Sequence, residues 1–228
     1  MSVVLSQDLT LLFPAGVIGA ELRGPGEPAQ LLPAEAAATA RMAPGRAREF
    51  AAGRMCARRA LAEFGIVDFP LLRAPDRQPV WPEGIVGSIT HTDGYCAAVV
   101  ARRSEFLGLG IDSEVVGAVG EHLWPKIATT AERAWLAELP AAKRPQAATL
   151  LFSAKEAFYK LRYSAIGERY DFKDVEVRAD CWGSERKFEI TLSKEYCSIQ
   201  STLAPLSGRY AIVDSIIVTS LSARPANH

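Results

Sequence analysis

The chain shows the same order of secondary-structure patterns twice: a helical pattern, then a set of strand patterns. Apolar residues spaced by seven, four and three predict a first helix over residues 47–64, and a second is predicted over 146–163. Two such blocks in 228 residues predict an α+β fold made of two halves. We place the boundary after Asp112, which gives halves of residues 1–112 and 113–228.

Shorter patterns fill in the rest of this fold. The lead-in before the first helix predicts one short strand around Leu9–Phe13 and then loops. Thr129 and Glu132 have the spacing of a capping box at the start of a further helix, and Asp93-Gly94 predicts a hairpin turn. Strand patterns between the long helices cover 85–90, 95–101 and 107–112. Strand-like runs after the second helix are DVEVRA, KFEITL, CSIQST and YAIVDSIIVTSL.

Composition excludes several classes of function. The 26 basic and 26 acidic residues balance, which argues against a general binder of nucleic acid or anionic membranes. No apolar run approaches the roughly 18 residues of a membrane-spanning helix, and the N-terminus lacks the basic region of a secretory signal. The four cysteines show no metal-ligand spacing, so we expect reduced thiols in a cytoplasmic protein. They are Cys56, Cys96, Cys181 and Cys197.

Two carboxylates stand two residues apart on a predicted strand, in Gly110-Ile111-Asp112-Ser113-Glu114. Alternate residues of a strand share a face, so Asp112 and Glu114 project together. Neighbouring carboxylates repel each other unless a cation lies between them. Mg²⁺ is usually bound by one or two carboxylates together with substrate phosphates. The motif therefore indicates either a magnesium site or a pair of solvated charges at a strand end.

The second helix carries charges on a mostly apolar surface. Glu156 and Lys160 lie one turn apart on the same strip, as a surface ion pair would. The helix is apolar over most of its circumference, however, and burying charges without a purpose is costly. Lys155 lies on the shoulder of the apolar face, where it either extends to solvent or reaches a bound anion.

Basic residues concentrate near the first helix. Their only acidic neighbour there is Glu49, so they indicate either a solvated helix face or a local anion site. His91 ends a strand just before a turn, where it serves either as a structural hydrogen-bonding group or as a donor to phosphate. The arginines are Arg41, Arg46, Arg48, Arg54, Arg58 and Arg59. Together with the carboxylates, this pattern indicates a metal-assisted site for a polyphosphate.

Four segments, in this order, resemble the 4′-phosphopantetheinyl transferases that serve siderophore, peptide and polyketide synthetases. The segments are GRAREFAAGRMCARRAL, PDRQPVWPEGIVGSITHTDGY, LGIDSE and FSAKEAFYK. The resemblance implies a pseudo-dimer of two similar α+β halves with the active site and coenzyme A in the cleft between them. It also implies transfer of the phosphopantetheine arm of coenzyme A to a serine of an acyl or peptidyl carrier protein, with release of adenosine 3′,5′-bisphosphate.

The resemblance assigns roles to individual residues. Asp112, Glu114 and Glu156 would hold Mg²⁺, with Mn²⁺ as a possible substitute. Glu156 would also act as the base for the carrier serine, and Lys160 would stabilise the leaving group. The implied coenzyme A ligands are Arg46, Arg54, Arg73, Ser88, Thr90, His91, Lys155 and Lys160, with His91 on the 3′-phosphate. A monomer without nucleic-acid or membrane partners is expected.

The main alternative is a non-catalytic module with the same fold that binds carrier proteins or coenzyme A. The presence of all three carboxylates and of Lys160 favours the active enzyme. A Mg²⁺-dependent phosphohydrolase acting on nucleotides is a further alternative, and it would release free phosphopantetheine without a carrier.

Overall fold

The computed structural model describes residues 2–167, 171–192 and 206–225. The chain divides into two compact units, Met1–Phe106 and Leu107–His228. Each unit contains an antiparallel sheet and one long helix, so the predicted α+β class with two halves is confirmed. The predicted boundary after Asp112 falls inside a strand of the second unit, because that strand pairs with the C-terminal strand.

The first unit is a four-stranded antiparallel sheet in the order β1-β2-β4-β3. Its strands are β1 (Val4–Leu5), β2 (Ile18–Arg23), β3 (Ile85–Thr92) and β4 (Tyr95–Arg102), and its helices are α1 (Gln7–Leu11), α2 (Pro33–Ala36) and α3 (Pro44–Ala62). The Asp93-Gly94 turn joins β3 to β4 as predicted, and Gly94 has the positive φ of 70° that such a turn requires. Helix α3 buries Phe50, Ala57 and Leu61, as the apolar spacing predicts.

The short strand predicted around Leu9–Phe13 is wrong, because those residues begin in a helix. The side chain of Ser6 accepts a hydrogen bond from the Leu9 backbone N–H at 3.1 Å and so caps α1. The Thr10 hydroxyl donates to the Ser6 carbonyl oxygen at 2.8 Å. A local cap therefore outweighs the apolar run, which the strand prediction had followed.

The second unit is a five-stranded antiparallel sheet in the order β5-β9-β8-β7-β6. Its strands are β5 (Gly108–Val115), β6 (Val175–Ala179), β7 (Lys187–Leu192), β8 (Leu206–Val213) and β9 (Ile216–Ala223). The run YAIVDSIIVTSL forms a hairpin, since Asp214 and Ser215 both take positive φ, 50° and 65°. The predicted strand CSIQST lies outside the described residues.

The helices of the second unit are α4 (Trp124–Ile127), α5 (Thr130–Glu138) and α6 (Arg144–Ile166). The predicted capping box is confirmed: Thr129 and Glu132 exchange side-chain-to-backbone hydrogen bonds of 3.2 and 2.7 Å. Helix α6 has Pro145 in its first turn and is capped after Ile166 by Gly167, which is left-handed with φ 73°.

No helix in the described ranges is both long and apolar enough to cross a membrane. Cys56, Cys96 and Cys181 are buried free thiols, as predicted, and Cys197 lies outside the described residues.

Candidate active site

Two glycines of β5 let α6 lie directly on the strand. A Cβ atom at Gly110 would overlap the carbonyl oxygen of Ala157, and one at Gly108 would lie 2.9 Å from the carbonyl oxygen of Leu161. Side chains at alternate strand positions share a face. Asp112 therefore projects from the face that α6 covers, beside the charged residues of that helix.

Lys160 of α6 reaches across to β5. Its Nζ atom donates to Oδ1 of Asp112 at 2.7 Å and to the carbonyl oxygen of Ile111 at 3.0 Å. Asp112 is only 4% exposed, so this contact lies largely away from solvent. Helical spacing predicts an ion pair between Glu156 and Lys160. In the structure, Lys160 instead makes its short ion pair with Asp112 of β5.

Burial and mutual repulsion perturb the carboxylates of this group. Burial raises the pKa of Glu114 to about 7; the Asp112 charge adds to the rise and Lys160 opposes it. Burial also raises the pKa of Glu156, which Lys160 lowers and Asp112 raises. The three carboxylates therefore act on one another electrostatically, with Lys160 as the neighbouring cation.

The donor set fits a divalent metal that is completed by substrate. Carboxylate oxygens are the hard ligands that Mg²⁺ prefers. In the described residues, no group of three or more Asp, Glu, His or Cys side chains is arranged to hold a metal ion without further ligands. Mg²⁺ normally takes one or two carboxylates and fills its remaining positions with water and substrate phosphate. Asp112, Glu114 and Glu156 would supply one carboxylate more than that pattern, and substrate phosphate and water would supply the remaining ligands.

A cavity of about 240 Å³ opens beside Glu156. Its walls are mainly apolar and come from α6 and from the segment that leads into β6. The residues that line it are Lys155, Glu156, Phe158, Tyr159, Asp171, Phe172 and Val175. The cavity can therefore hold an uncharged chain with one end next to a carboxylate.

Lys155 does not have the role that the resemblance implies. Its Nζ atom donates to Oε2 of Glu132 at 2.7 Å and to the carbonyl oxygens of Ile127 and Phe172 at 2.9 and 2.7 Å. An ammonium has three N–H groups, and all three are used within the protein. The assignment of Lys155 to coenzyme A is therefore corrected: it ties α6 to α4, to α5 and to the segment before β6.

The arginines of α3 fall into two sets. Arg58 pairs with the buried carboxylate of Glu35, and Arg59 pairs with Glu63 one turn away. Both arginines are therefore paired with a carboxylate of the first unit. Arg46 and Arg54 lie further toward the start of the helix, where they meet groups from outside it.

Arg46 and His91 are in direct contact in the first unit. A guanidinium nitrogen of Arg46 lies 2.7 Å from Nε2 of His91 and donates to Oε2 of Glu49 at 2.6 Å. Since a guanidinium can only donate, Nε2 of His91 accepts this hydrogen bond. The end of β3 and the first turn of α3 thus bring together two of the predicted phosphate ligands.

Arg54 and Arg73 share the ring of Phe50. Their guanidinium carbons lie 4.0 and 4.7 Å from its centroid. Arg54 donates from Nε to the carbonyl oxygen of Leu71 at 3.0 Å, while its buried Nη2 has no hydrogen-bond partner in the described ranges. Burial, followed by repulsion from Arg73, lowers the pKa of Arg54 to about 10. An unpartnered buried donor between like charges is suited to binding an anion.

The structure brings the predicted residues together in two groups, one in each unit. Ser88 and Thr90 are buried in β3, the strand that carries His91 next to its last residue and lies at the edge of its sheet. The first group is Arg46, Arg54, Arg73 and His91, and the second is Asp112, Glu114, Glu156 and Lys160.

Two family models match the chain one after the other. The 4′-phosphopantetheinyl transferase N-terminal domain matches residues 34–101, and the 4′-phosphopantetheinyl transferase superfamily matches residues 108–213. The first match contains the arginine group and the second contains the carboxylate group. The 4′-phosphopantetheinyl transferase Svp of Streptomyces mobaraensis is 38% identical over 206 residues, which are 89% of this chain and 83% of the relative. The chain belongs to the 4′-phosphopantetheinyl transferase superfamily.

Further relatives agree with this family. The transferase is 33% identical to the 4′-phosphopantetheinyl transferase Npt of Nocardia iowensis, over 92% of this chain and 97% of that protein. It is also 33% identical to the 4′-phosphopantetheinyl transferase PptT of Mycobacterium tuberculosis, over 83% of this chain and 85% of that protein. The family expected from the four sequence segments is therefore confirmed.

One residue of the transferase that supports the site was not predicted in that role. Glu132 was expected only as part of a capping box, and its carboxylate also binds Lys155 and accepts the Val177 N–H at 2.8 Å. The sequence signals this role only through the place of Glu132 on the apolar face of α5, beside Leu136. The partners of such a buried carboxylate lie far away in the chain, so spacing does not reveal them.

Proposed function

We propose that this transferase moves the 4′-phosphopantetheine arm of coenzyme A to a serine of an acyl or peptidyl carrier protein in a Mg²⁺-dependent reaction of the holo-[acyl-carrier-protein] synthase type. The products are the modified carrier and adenosine 3′,5′-bisphosphate. The contact between Lys160 and Asp112, with Glu114 and Glu156 beside it, is the observation that carries this proposal.

Glu156 is the proposed base. The serine oxygen attacks the phosphorus that bears pantetheine, and the bond from that phosphorus to the adenosine bisphosphate breaks. The serine proton passes to a carboxylate oxygen of Glu156, directly or through a water. The raised pKa of Glu156 makes it a better proton acceptor than an ordinary carboxylate. A positioned base of this kind contributes about 10²–10⁴-fold to the rate.

Lys160 is the proposed partner of the leaving group. Two of its three N–H groups are donated to Asp112 and to the Ile111 carbonyl oxygen. The third is available to a phosphate oxygen of the adenosine bisphosphate as negative charge develops there. Asp112, Glu114 and Glu156 would hold Mg²⁺, which supplies charge neutralisation to the diphosphate when bound.

The residues proposed to bind coenzyme A are given for each unit by itself. We assign the phosphates of the nucleotide to Arg46, Arg54, Arg73 and His91, with the β3 edge around Ser88 and Thr90 as a further contact. We assign the pantetheine chain to the apolar cavity beside Glu156, because its walls suit an uncharged chain. Both the arginine group and the carboxylate group lie in one chain.

We further propose that the transferase acts in the cytoplasm as a monomer. Free thiols at the three described cysteines suit a reducing compartment. Every side chain assigned above belongs to a single chain, so no second copy of the protein is needed to supply one.

The test is intact-mass spectrometry of an apo carrier protein incubated with the transferase, coenzyme A and Mg²⁺. We expect a gain of about 340 Da, the mass of the phosphopantetheinyl arm, which disappears when the metal is chelated. A gain that survives full chelation would contradict the metal requirement. No gain with any carrier type, despite coenzyme A binding, would favour the non-catalytic module.

A further inference from the structure

Residues 71–80 form a tight hairpin, hereafter the 71–80 hairpin, in the first unit. Arg73 pairs with Pro79, and the backbone N–H of Ala74 donates to the carbonyl oxygen of Gln78 at 2.8 Å. The tip is closed by the Arg77 N–H, which donates to the Ala74 carbonyl oxygen at 2.8 Å. The inner side of the hairpin thus carries Arg73 onto Phe50, and its tip carries Arg77.

Arg77 has an unusual backbone conformation. Its φ is 75°, in the left-handed region that glycine and asparagine occupy without strain and that other residues avoid. An exposed arginine gains nothing from burial at such a position. Arg186 also has a positive φ, so the strain at Arg77 indicates a function only together with the charges around it.

The position of Arg77 adds to a local excess of positive charge. Burial, followed by repulsion from Arg46 and Arg77, lowers the pKa of Arg73. Two acids lie nearby: Glu49 is bonded to Arg46, and Asp76 accepts the Gln78 N–H at 3.1 Å. Arg46 and Arg77 therefore each act electrostatically on Arg73, and the three positive charges exceed the charge of these two acids, as at a site that binds a polyanion.

We propose that Arg77 is an additional affinity- and specificity-determining residue for the phosphate-bearing nucleotide end of coenzyme A. This inference rests on the proposed function of the arginine group. Arg77 extends that group to the tip of the 71–80 hairpin, where its guanidinium binds a phosphate oxygen of the nucleotide. A glycine at this position would relieve the strain but could not make this contact.

The test compares Arg77→Asn with wild type in carrier-protein transfer and in direct titration with coenzyme A. Asparagine accepts the left-handed conformation, so the change removes the charge and keeps the hairpin. We expect KM and Kd for coenzyme A to rise about threefold to tenfold, with kcat within about twofold of wild type. The effect should shrink at about 0.5 M salt, because screening weakens exposed charges. Arg77→Lys should retain most of the affinity.

Arg186→Asn is the matched control. Arg186 is also an exposed arginine with positive φ, 47°, and it lies in the second unit, between β6 and β7. We expect its KM and Kd to equal those of wild type. If Arg77→Asn behaves like Arg186→Asn while wild type transfers the arm, the inference about Arg77 is overturned and the proposed function stands. If wild type binds coenzyme A without transferring the arm, the proposed function fails, and the Kd values still decide the role of Arg77.

Discussion

At the scale of single residues, the most consequential contact is the buried pair of Lys155 and Glu132. Both side chains are almost fully buried, at 1% and 2% exposure, and their charged atoms lie 2.7 Å apart. A pair of this kind is costly to break from one side, because the remaining charge stays buried without its partner. Lys155 lies directly before Glu156 in the sequence, so the pair fixes the local position of α6.

We therefore predict that Glu132→Gln lowers the free energy of unfolding by about 3–5 kcal/mol. Urea denaturation followed by circular dichroism measures this change. The double variant Glu132→Gln with Lys155→Met should recover part of the loss, because it removes the unpaired charge. A single variant as stable as wild type would show that the pair contributes nothing.

His91 is the second residue for which the structure supports a specific prediction. Its Nε2 atom contacts Arg46 at the start of α3, within the arginine group. If this group binds the 3′-phosphate, His91→Ala should weaken coenzyme A binding more than dephospho-coenzyme A binding. Calorimetric titration with both ligands measures the difference. Equal losses for the two ligands would show that His91 does not read the 3′-phosphate.

At the scale of secondary-structure elements, the packing of α6 on β5 determines the carboxylate group. Gly110 is the narrowest point, since a methyl group there would overlap the Ala157 carbonyl oxygen. The helix must therefore shift if a side chain is added, and Lys160 would move with it relative to Asp112.

We predict that Gly110→Ala destabilises the protein by about 1–3 kcal/mol and lowers kcat for arm transfer. Gly45→Ala is the control, because nothing lies within 4 Å of a Cβ atom at Gly45 and the residue is in the first turn of α3. Thermal unfolding and transfer rates measured on both variants check the prediction. Equal stability of the two variants would contradict the close approach.

At the scale of the whole molecule, the sequence predicted those features that depend on local signals. Helices α3 and α6, the Asp93-Gly94 hairpin and the Thr129 cap all follow from spacing or turn chemistry within a few residues. Strand alternation also predicts that Asp112 and Glu114 share one face of β5. Resemblance to a family supplied the role of each residue.

The remaining features depend on contacts between distant parts of the chain. The partner of Lys155 is 23 residues away at Glu132, and no spacing rule joins them. The boundary between the two units was placed within β5, because pairing of that strand with β9 depends on residues about 100 positions later. Helix α1 differs from these features, because its signal is the local cap at Ser6, whereas the strand prediction followed only the apolar run.

The central claim is that the carboxylate group beside Lys160 performs arm transfer, and Glu156→Gln tests it most directly. The measurement is the single-turnover gain of about 340 Da on an apo carrier protein, with circular dichroism to confirm folding. Glu138→Gln, an exposed change on α5, is the control. We predict that the rate for Glu156→Gln falls by about 10²-fold or more while Glu138→Gln matches wild type. A folded Glu156→Gln variant with the wild-type rate would contradict the account.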